Sequence, residues 1–188
     1  MPNHLTTEEI IDGCRRGQAV SQRALVDQFS ASLFSVCLRY IGSESKSKDV
    51  LQESFIRIFK SFKNFDSSKG SLQGWMRKIT VNMALKTIEK EKIKFSPLSV
   101  DFNNSMSVEP SALHNMEADD LLKVVQTLPD GYRQVFNLSV IEGYSHKEIA
   151  QMLDIQEVSS RSNLSRAKQI LRNKLIAFKK TGSWVKIM

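Results

Sequence analysis

Cysteine, proline and glycine are all scarce in this chain, at 2, 4 and 8 among 188 residues. The two cysteines, Cys14 and Cys37, stand at no metal-ligand spacing, and each sits inside an apolar helical pattern. Buried thiols in a reducing compartment are therefore expected, not a disulfide framework. No stretch alternates apolar and polar residues at period two, which excludes a sheet-rich fold and leaves helices. No apolar run approaches the roughly 20 residues that cross a bilayer. The first residues, MPNHLTTEEIIDG, lack the basic-then-apolar order of a secretion signal. A soluble, cytoplasmic protein with no membrane insertion is expected. A glycine-rich phosphate loop, a metal-ligand cluster and a nucleophile–base pair are missing as well. His4, His114 and His146 are scattered, so neither catalysis nor a cofactor is expected.

Acidic residues are absent after Glu157, where Arg161, Arg166, Lys168, Arg172, Lys174, Lys179, Lys180 and Lys186 follow. The whole chain carries a net charge of +7, and its 41% hydrophobic and 25% charged residues are ordinary for a globular protein. A one-signed end repels itself unless it is solvated or bound to a polyanion. Nucleic acid is the partner class this favours, while charge alone leaves a membrane surface or a solubilising tail open.

Helical spacing runs through most of the chain. Thr6 and Glu9 have the form of a capping box opening a first helix. A second pattern, Ala19 to Ile41, places Leu33, Phe34, Cys37, Leu38 and Ile41 at helical spacings, and Gly42 with the ESKSK stretch breaks it. A third, about Lys48 to Phe62, carries the stripe Leu51, Phe55, Ile58, Phe59 and Phe62. Its opposite face holds Asp49, Gln52, Glu53 and Lys60, with Ile56 among them, in one narrow arc because each residue turns about 100°. Taken by themselves, these residues form a solvated face with one stray apolar side chain. After the loop NFDSSKGSLQGW, a helix from Leu72 to Lys92 is expected to bury Leu72, Trp75, Met76, Ile79 and Met83. Lys78, Asn82 and Lys86 form a polar ridge along it. Over residues 94–116 the pattern disappears, and this stretch is expected to be an interdomain linker between 1–93 and 117–188.

Beyond it, the helix ADDLLKVVQTL stops before Pro129-Asp130-Gly131, and another carries Val135, Phe136, Leu138 and Val140 up to Gly143. Ser145-His146-Lys147-Glu148 is a second capping box, opening a short helix through Leu153. Asp154 suits the left-handed conformation that ends a helix, and Ile155 is the apolar plug of a turn. The polar, basic segment QEVSSRSNLSRAKQILRNKL follows. Short helix, tight turn and longer polar helix form the helix-turn-helix pattern, whose second helix enters the major groove. Arginine can bridge guanine O6 and N7, asparagine can pair with adenine, and serine can meet bases or phosphate. The candidate readers are Arg161, Ser162, Asn163, Ser165 and Arg166, with Lys168 on phosphate, Ser145 on the preceding helix and Leu164 as core anchor. An ordinary helical pair with a solvated basic face would share the pattern.

The stretch LPDGYRQVFNLSVIEGYSHKEIAQMLDIQEVSSRSNLSRAKQILRNKL resembles region 4 of extracytoplasmic-function sigma factors, a group of the sigma-70 family. FSASLFSVCLRYIGSESKSKDVLQESFIRIFKSFKNFDSSKGSLQGWMRKITVNMALKTIEK resembles their region 2, in the family's order and with a family-like linker. The resemblance covers nearly the whole chain. It implies an all-α protein of two small helical domains, a region 2 bundle (1–93) and a region 4 helix-turn-helix domain (117–188), joined by a flexible linker (94–116). It also implies that core RNA polymerase and promoter DNA are partners, with an anti-sigma factor as a further candidate. Asp49, Gln52 and Glu53 fall on the family's D-x-x-Q-E pattern, which implies docking on the coiled-coil clamp of the polymerase's largest subunit. Ile56 would then face that partner.

Phe65, the loop through Ser71, Trp75 and the ridge of Lys78, Asn82 and Lys86 correspond to the region that opens and reads the −10 element. Aromatic rings can stack on unpaired bases and amides can bond an extruded base. Phe65 is the expected stacking residue and Trp75 a core residue. Ser145, Arg161, Ser162, Asn163, Ser165, Arg166 and Lys168 would serve the −35 element. The sequence departs from the family at three positions. Lys86 stands where Asp is frequent, Val158 replaces a frequent Gly before the recognition helix, and Ser160 replaces a frequent apolar residue within it. Two rival readings share the same features: a helix-turn-helix regulator that needs no polymerase, and an interaction module whose basic surface binds an acidic protein.

Overall fold

In the computed structural model, which describes residues 5–94 and 118–181, every regular element among the described residues is helical. The chain divides into two compact units, Met1–Ser96 and Pro97–Met188. Apart from Lys94, the expected linker lies outside the described residues.

The N-terminal unit contains α1 (Thr7–Arg15), α2 (Ala19–Ile41), α3 (Glu44–Ser61) and α4 (Leu72–Lys94). The capping box opens α1: the Thr6 amide donates to Glu9 Oε2 at 2.7 Å and the Glu9 amide to Thr6 Oγ1 at 3.3 Å. Gly42 closes α2 in the left-handed region at φ 77°, where a side chain would be strained. The ESKSK stretch does not break the chain further. It forms the first turns of α3, which starts at Glu44, ahead of the expected Lys48. One glycine is enough for the corner, and an ion pair of 2.7 Å between Lys48 and Glu44 supports the exposed turn.

Helices α2, α3 and α4 pack pairwise. Leu25, Leu33, Ile58, Phe62 and Met76 are all essentially inaccessible. Three hydroxyl residues, Ser47, Ser54 and Thr80, are buried completely among them. Each donates to the carbonyl four residues back, Ser47 to Ser43 and Ser54 to Val50 at 2.7 Å, Thr80 to Met76 at 3.0 Å. These three hydroxyls are thus satisfied within their own helices, and the short side chains let the helices approach closely. The buried edge of α4 differs from the expected one. Leu72, Met76, Val81, Ala84, Leu85 and Ile88 are buried, whereas Trp75, Ile79 and Met83 are half-buried. This helix is apolar on two arcs, and periodicity cannot rank them. Cys14 and Cys37 are buried free thiols, as expected, and desolvation pushes them up to about 11 and about 12. Neither is a reactive thiolate at neutral pH.

The C-terminal unit contains α5 (Ala118–Gln126), α6 (Asp130–Phe136), α7 (His146–Leu153) and α8 (Glu157–Thr181). Val124, Val125 and Leu128 meet Ala167 and Leu171 of α8 in its core. Arg133 is buried and turns back to the end of α5, donating to the carbonyls of Gln126 and Leu128 at 3.1 Å each and to Asp130 at 2.6 Å. It thereby satisfies carbonyls that a helix end leaves open. A π turn over Asn137–Ile141 follows α6, closed by the Glu142 amide on the Asn137 carbonyl at 3.0 Å. The wider turn breaks the helical register. Val135 and Leu138 are buried, but Val140, expected on the same stripe, is 50% exposed.

Gly13 of α1 lies so close to α2 that a Cβ there would come within 1.9 Å of Ser21 Oγ. Alanine favours a helix over glycine by about 1 kcal/mol, but overpacking costs roughly 1–3 kcal/mol. Gly13→Ala is therefore expected to lower the thermal midpoint of the N-terminal unit, as read by circular dichroism. A raised midpoint would refute the close contact.

Candidate partner-docking and nucleic-acid interfaces

Because Val50, Ser54 and Ile58 turn α3 into the core, Asp49, Gln52, Glu53 and Ile56 must face outward, and all four are exposed. Ile56 is 47% accessible. Glu53 and Ile56 also edge an open groove of about 680 Å³ between α3 and α4. Trp75, Ile79 and Met83 line it, with Lys60, Asn82 and Lys86 among its polar groups. Two sites expected separately thus share one groove. Lys78, the third member of the ridge, is exposed but does not line it.

The loop between α3 and α4 corrects one expectation. Phe65 is only 4% exposed and therefore presents no free stacking face. Its ring lies 6.1 Å from Phe62 and 5.2 Å from Trp75, centroid to centroid, and Phe62 meets Trp75 edge-on at 5.5 Å. The Phe65 carbonyl accepts from Arg15 Nη2 of α1 at 2.9 Å. Serines and glycines around Phe65 mark an exposed segment, but they say nothing about which side chain folds inward. Trp75, expected in the core, is the aromatic ring that reaches the groove. Past Phe65 the chain is held by Asp66, which accepts from the hydroxyl of Ser68 at 2.7 Å and its amide at 3.0 Å. These bonds, the hydroxyl's first, hold the Asp66 carboxyl below its ordinary range.

In the C-terminal unit the second capping box forms. Ser145 N–H donates to Glu148 Oε2 at 2.8 Å, and Glu148 N–H to Ser145 Oγ at 3.3 Å. Asp154 adopts φ 51° and ψ 51°, the one positive-φ non-glycine among the described residues. The Ile155 amide then reaches the Ala150 carbonyl at 3.0 Å, which fixes the turn. On α8, Leu164 and Ala167 point into the core, while Arg161, Ser162, Ser165, Arg166 and Lys168 are exposed and Asn163 is half-buried. Arg161 is paired with Glu157 one turn back, and Arg166 donates to the Tyr132 hydroxyl at 3.2 Å. Val158 stands 74% exposed at the start of the helix. Ser160 is wholly buried and hydrogen-bonded to His146 at 2.9 Å, a pairing that spacing gave no sign of. Among the described residues no cluster of His, Cys, Asp or Glu could hold a metal, and no helix is long and apolar enough to cross a membrane.

The family model described as Sigma-70 region 2 matches residues 25–93, and that described as Sigma-70, region 4 matches residues 118–171. The ECF RNA polymerase sigma factor SigE of Mycolicibacterium smegmatis is 30% identical over 156 residues, covering 80% of this chain and 60% of that protein. The ECF RNA polymerase sigma-E factor of Haemophilus influenzae is 22% identical over 187 residues, covering 93% of this chain and 98% of that protein. The chain thus spans less than two thirds of the first relative and nearly all of the second. Among solved structures, the sigma factor RpoE of Bartonella quintana, crystallised with the anti-sigma factor NepR, has a similar fold. Its TM-score is 0.52 at 17% identity, over 82% of this chain and 96% of that one.

Burial of Phe65 sets the expected result of its truncation. Phe65→Ala removes a ring from the Phe62–Trp75 cluster and should destabilise the N-terminal unit by about 3–5 kcal/mol. Denaturant unfolding measures it. A midpoint equal to that of the unaltered protein would mean that the ring does not pack as described.

Proposed function

We propose how the protein works from one premise: the chain belongs to the sigma-70 family, in its extracytoplasmic-function group. As a sigma factor of this group it directs promoter-specific transcription initiation. In our reading the N-terminal unit, 1–93, docks on core RNA polymerase and opens the −10 element. The C-terminal unit, 117–188, reads the −35 element, and 94–116 links them. The protein acts by binding alone, with no reaction of its own, in the cytoplasm where polymerase works.

The observation that carries this reading is the outer face of α3. Asp49 and Glu53 are acidic groups exposed on a chain of net charge +7, and neither side chain has an ion pair or hydrogen bond among the described residues. An acidic arc repels DNA, so its partner is a protein with a complementary surface. Ile56 supplies an apolar anchor beside these charges, the combination that concentrates binding energy at interfaces. A regulator that bound DNA alone would have no need of such a face. In the adjoining groove, the Asn82 amide, the Lys86 ammonium and the Trp75 ring offer what an unpaired strand requires: hydrogen bonds, charge and a stacking surface. Lys78 extends the positive ridge toward phosphate. On α8, Arg161, Ser162, Asn163, Ser165 and Arg166 present base-reading donors, with Lys168 and Ser145 suited to phosphate. A relative of the same fold is held by an anti-sigma factor, and we extend that mode of control to this chain.

In vitro transcription with core polymerase, with and without the protein, tests the reading directly. Asp49→Lys combined with Glu53→Lys should change stability by less than about 0.5 kcal/mol, since exposed sites rarely matter more. At the interface, like-charge repulsion costs several kcal/mol, so core binding and initiation should both disappear. A well-folded double variant that still binds core would remove the docking assignment. At the other end of the protein, Arg161→Ala and Arg166→Ala should each cost about 1–3 kcal/mol and relax preference at one or two −35 positions. Lys168→Ala should instead weaken all promoters alike and flatten the salt dependence. Unchanged promoter choice in both arginine variants would show that another surface reads the DNA.

A further inference from the structure

The turn between α7 and α8 fixes where the recognition helix begins but not its tilt. A second tie lies away from the turn. His146, the first residue of α7, places Nδ1 2.9 Å from Oγ of Ser160 in the first turns of α8. Ser160 has no accessible surface and His146 is half-buried. A hydroxyl with no water around it loses its hydration, and the imidazole is the partner that offsets this loss. The hydroxyl can donate to the ring nitrogen or accept from it, according to the tautomer. Its neighbours are the reading side chains: Arg161 and Ser162 follow Ser160 directly, and Ser145 precedes His146.

We infer that the His146–Ser160 hydrogen bond sets the angle at which α8 is presented to DNA, making both residues positioning residues for −35 selection. This rests on the sigma-factor reading and deepens it. Neither residue is assigned a base contact. An apolar pair in the same place would pack by shape and tolerate small rotations. A hydrogen bond at 2.9 Å is directional and weakens steeply when its angle is lost. The departure from an apolar residue at Ser160 therefore gives this chain a device for fixing the helix, and with it a −35 preference of its own.

The test is a double-mutant cycle in the full chain: His146→Ala, Ser160→Ala and both together. Each form is read by thermal unfolding and by initiation with core polymerase on promoters differing at single −35 positions. Each single change is expected to alter the relative ranking of the promoters by about two- to ten-fold, the range of one net hydrogen bond. Both should move the same positions. The double variant should resemble either single one, because interacting residues are not additive. Unfolding midpoints should show the same coupling.

A uniform loss on every promoter with ranking preserved would mean that the bond is only structural, and would overturn the inference. Independent, additive effects would overturn it as well. If the unaltered protein fails to initiate with core polymerase, the functional reading falls and takes this inference with it. The unfolding cycle would still report whether the bond couples the two helices.

Discussion

A helix in a bundle has one circumference to divide between its core and its partners, and α3 divides it most sharply. Ser47, Val50, Ser54 and Ile58 lie against α2 and α4, and the two serines are buried without residue of exposed surface. Their hydroxyls are satisfied within their own helix, so close approach leaves no unpaired polar group. That tight contact fixes the rotation of α3 about its axis. Once the rotation is fixed, Asp49, Gln52, Glu53 and Ile56 have nowhere to go but outward. The groove follows from the same geometry, since Ile56 and Glu53 on α3 come to face Trp75 and Asn82 on α4. The outward face of α3 and the groove beside it are two consequences of one packing contact.

What could be read from the sequence was what is decided locally. Both capping boxes formed because donor and acceptor are set three residues apart, whatever the rest of the chain does. Asp154 took the left-handed conformation for a similar reason, and the helix-turn-helix followed from the turn it makes. The exposure of Arg161, Ser162, Ser165, Arg166 and Lys168 was legible once Leu164 was identified as the inward residue. Tertiary choices were not legible. Phe65 and Trp75 are both aromatic and both beside a loop, and only the tertiary packing decides that Phe65 is buried while Trp75 lines the groove. The buried arc of α4 was hidden by a second apolar arc. The π turn left no mark, because a register slip changes no residue type. Ser160 and His146 each look ordinary until their helices are brought together.

The recognition helix also separates what stays fixed from what is exchanged. Arg161 and Arg166 each have a partner in this structure, Glu157 and the Tyr132 hydroxyl. Both arginines are exposed, and an exposed ion pair such as Arg161–Glu157 contributes only about 0–1 kcal/mol. In the proposed reading such contacts hold a long side chain near one geometry and yield when a guanine edge offers a bidentate bond worth about 1–3 kcal/mol. The cost of breaking the pair is smaller than the gain from the base contact, so preorganisation does not compete with reading. Leu164, Ala167 and Ser160 lie on the other side of that helix, buried, where loss of a partner leaves a buried polar group or a cavity. In the proposed reading, sequence preference depends on both, a buried inner edge that sets the angle and an exposed outer edge that is given up to DNA.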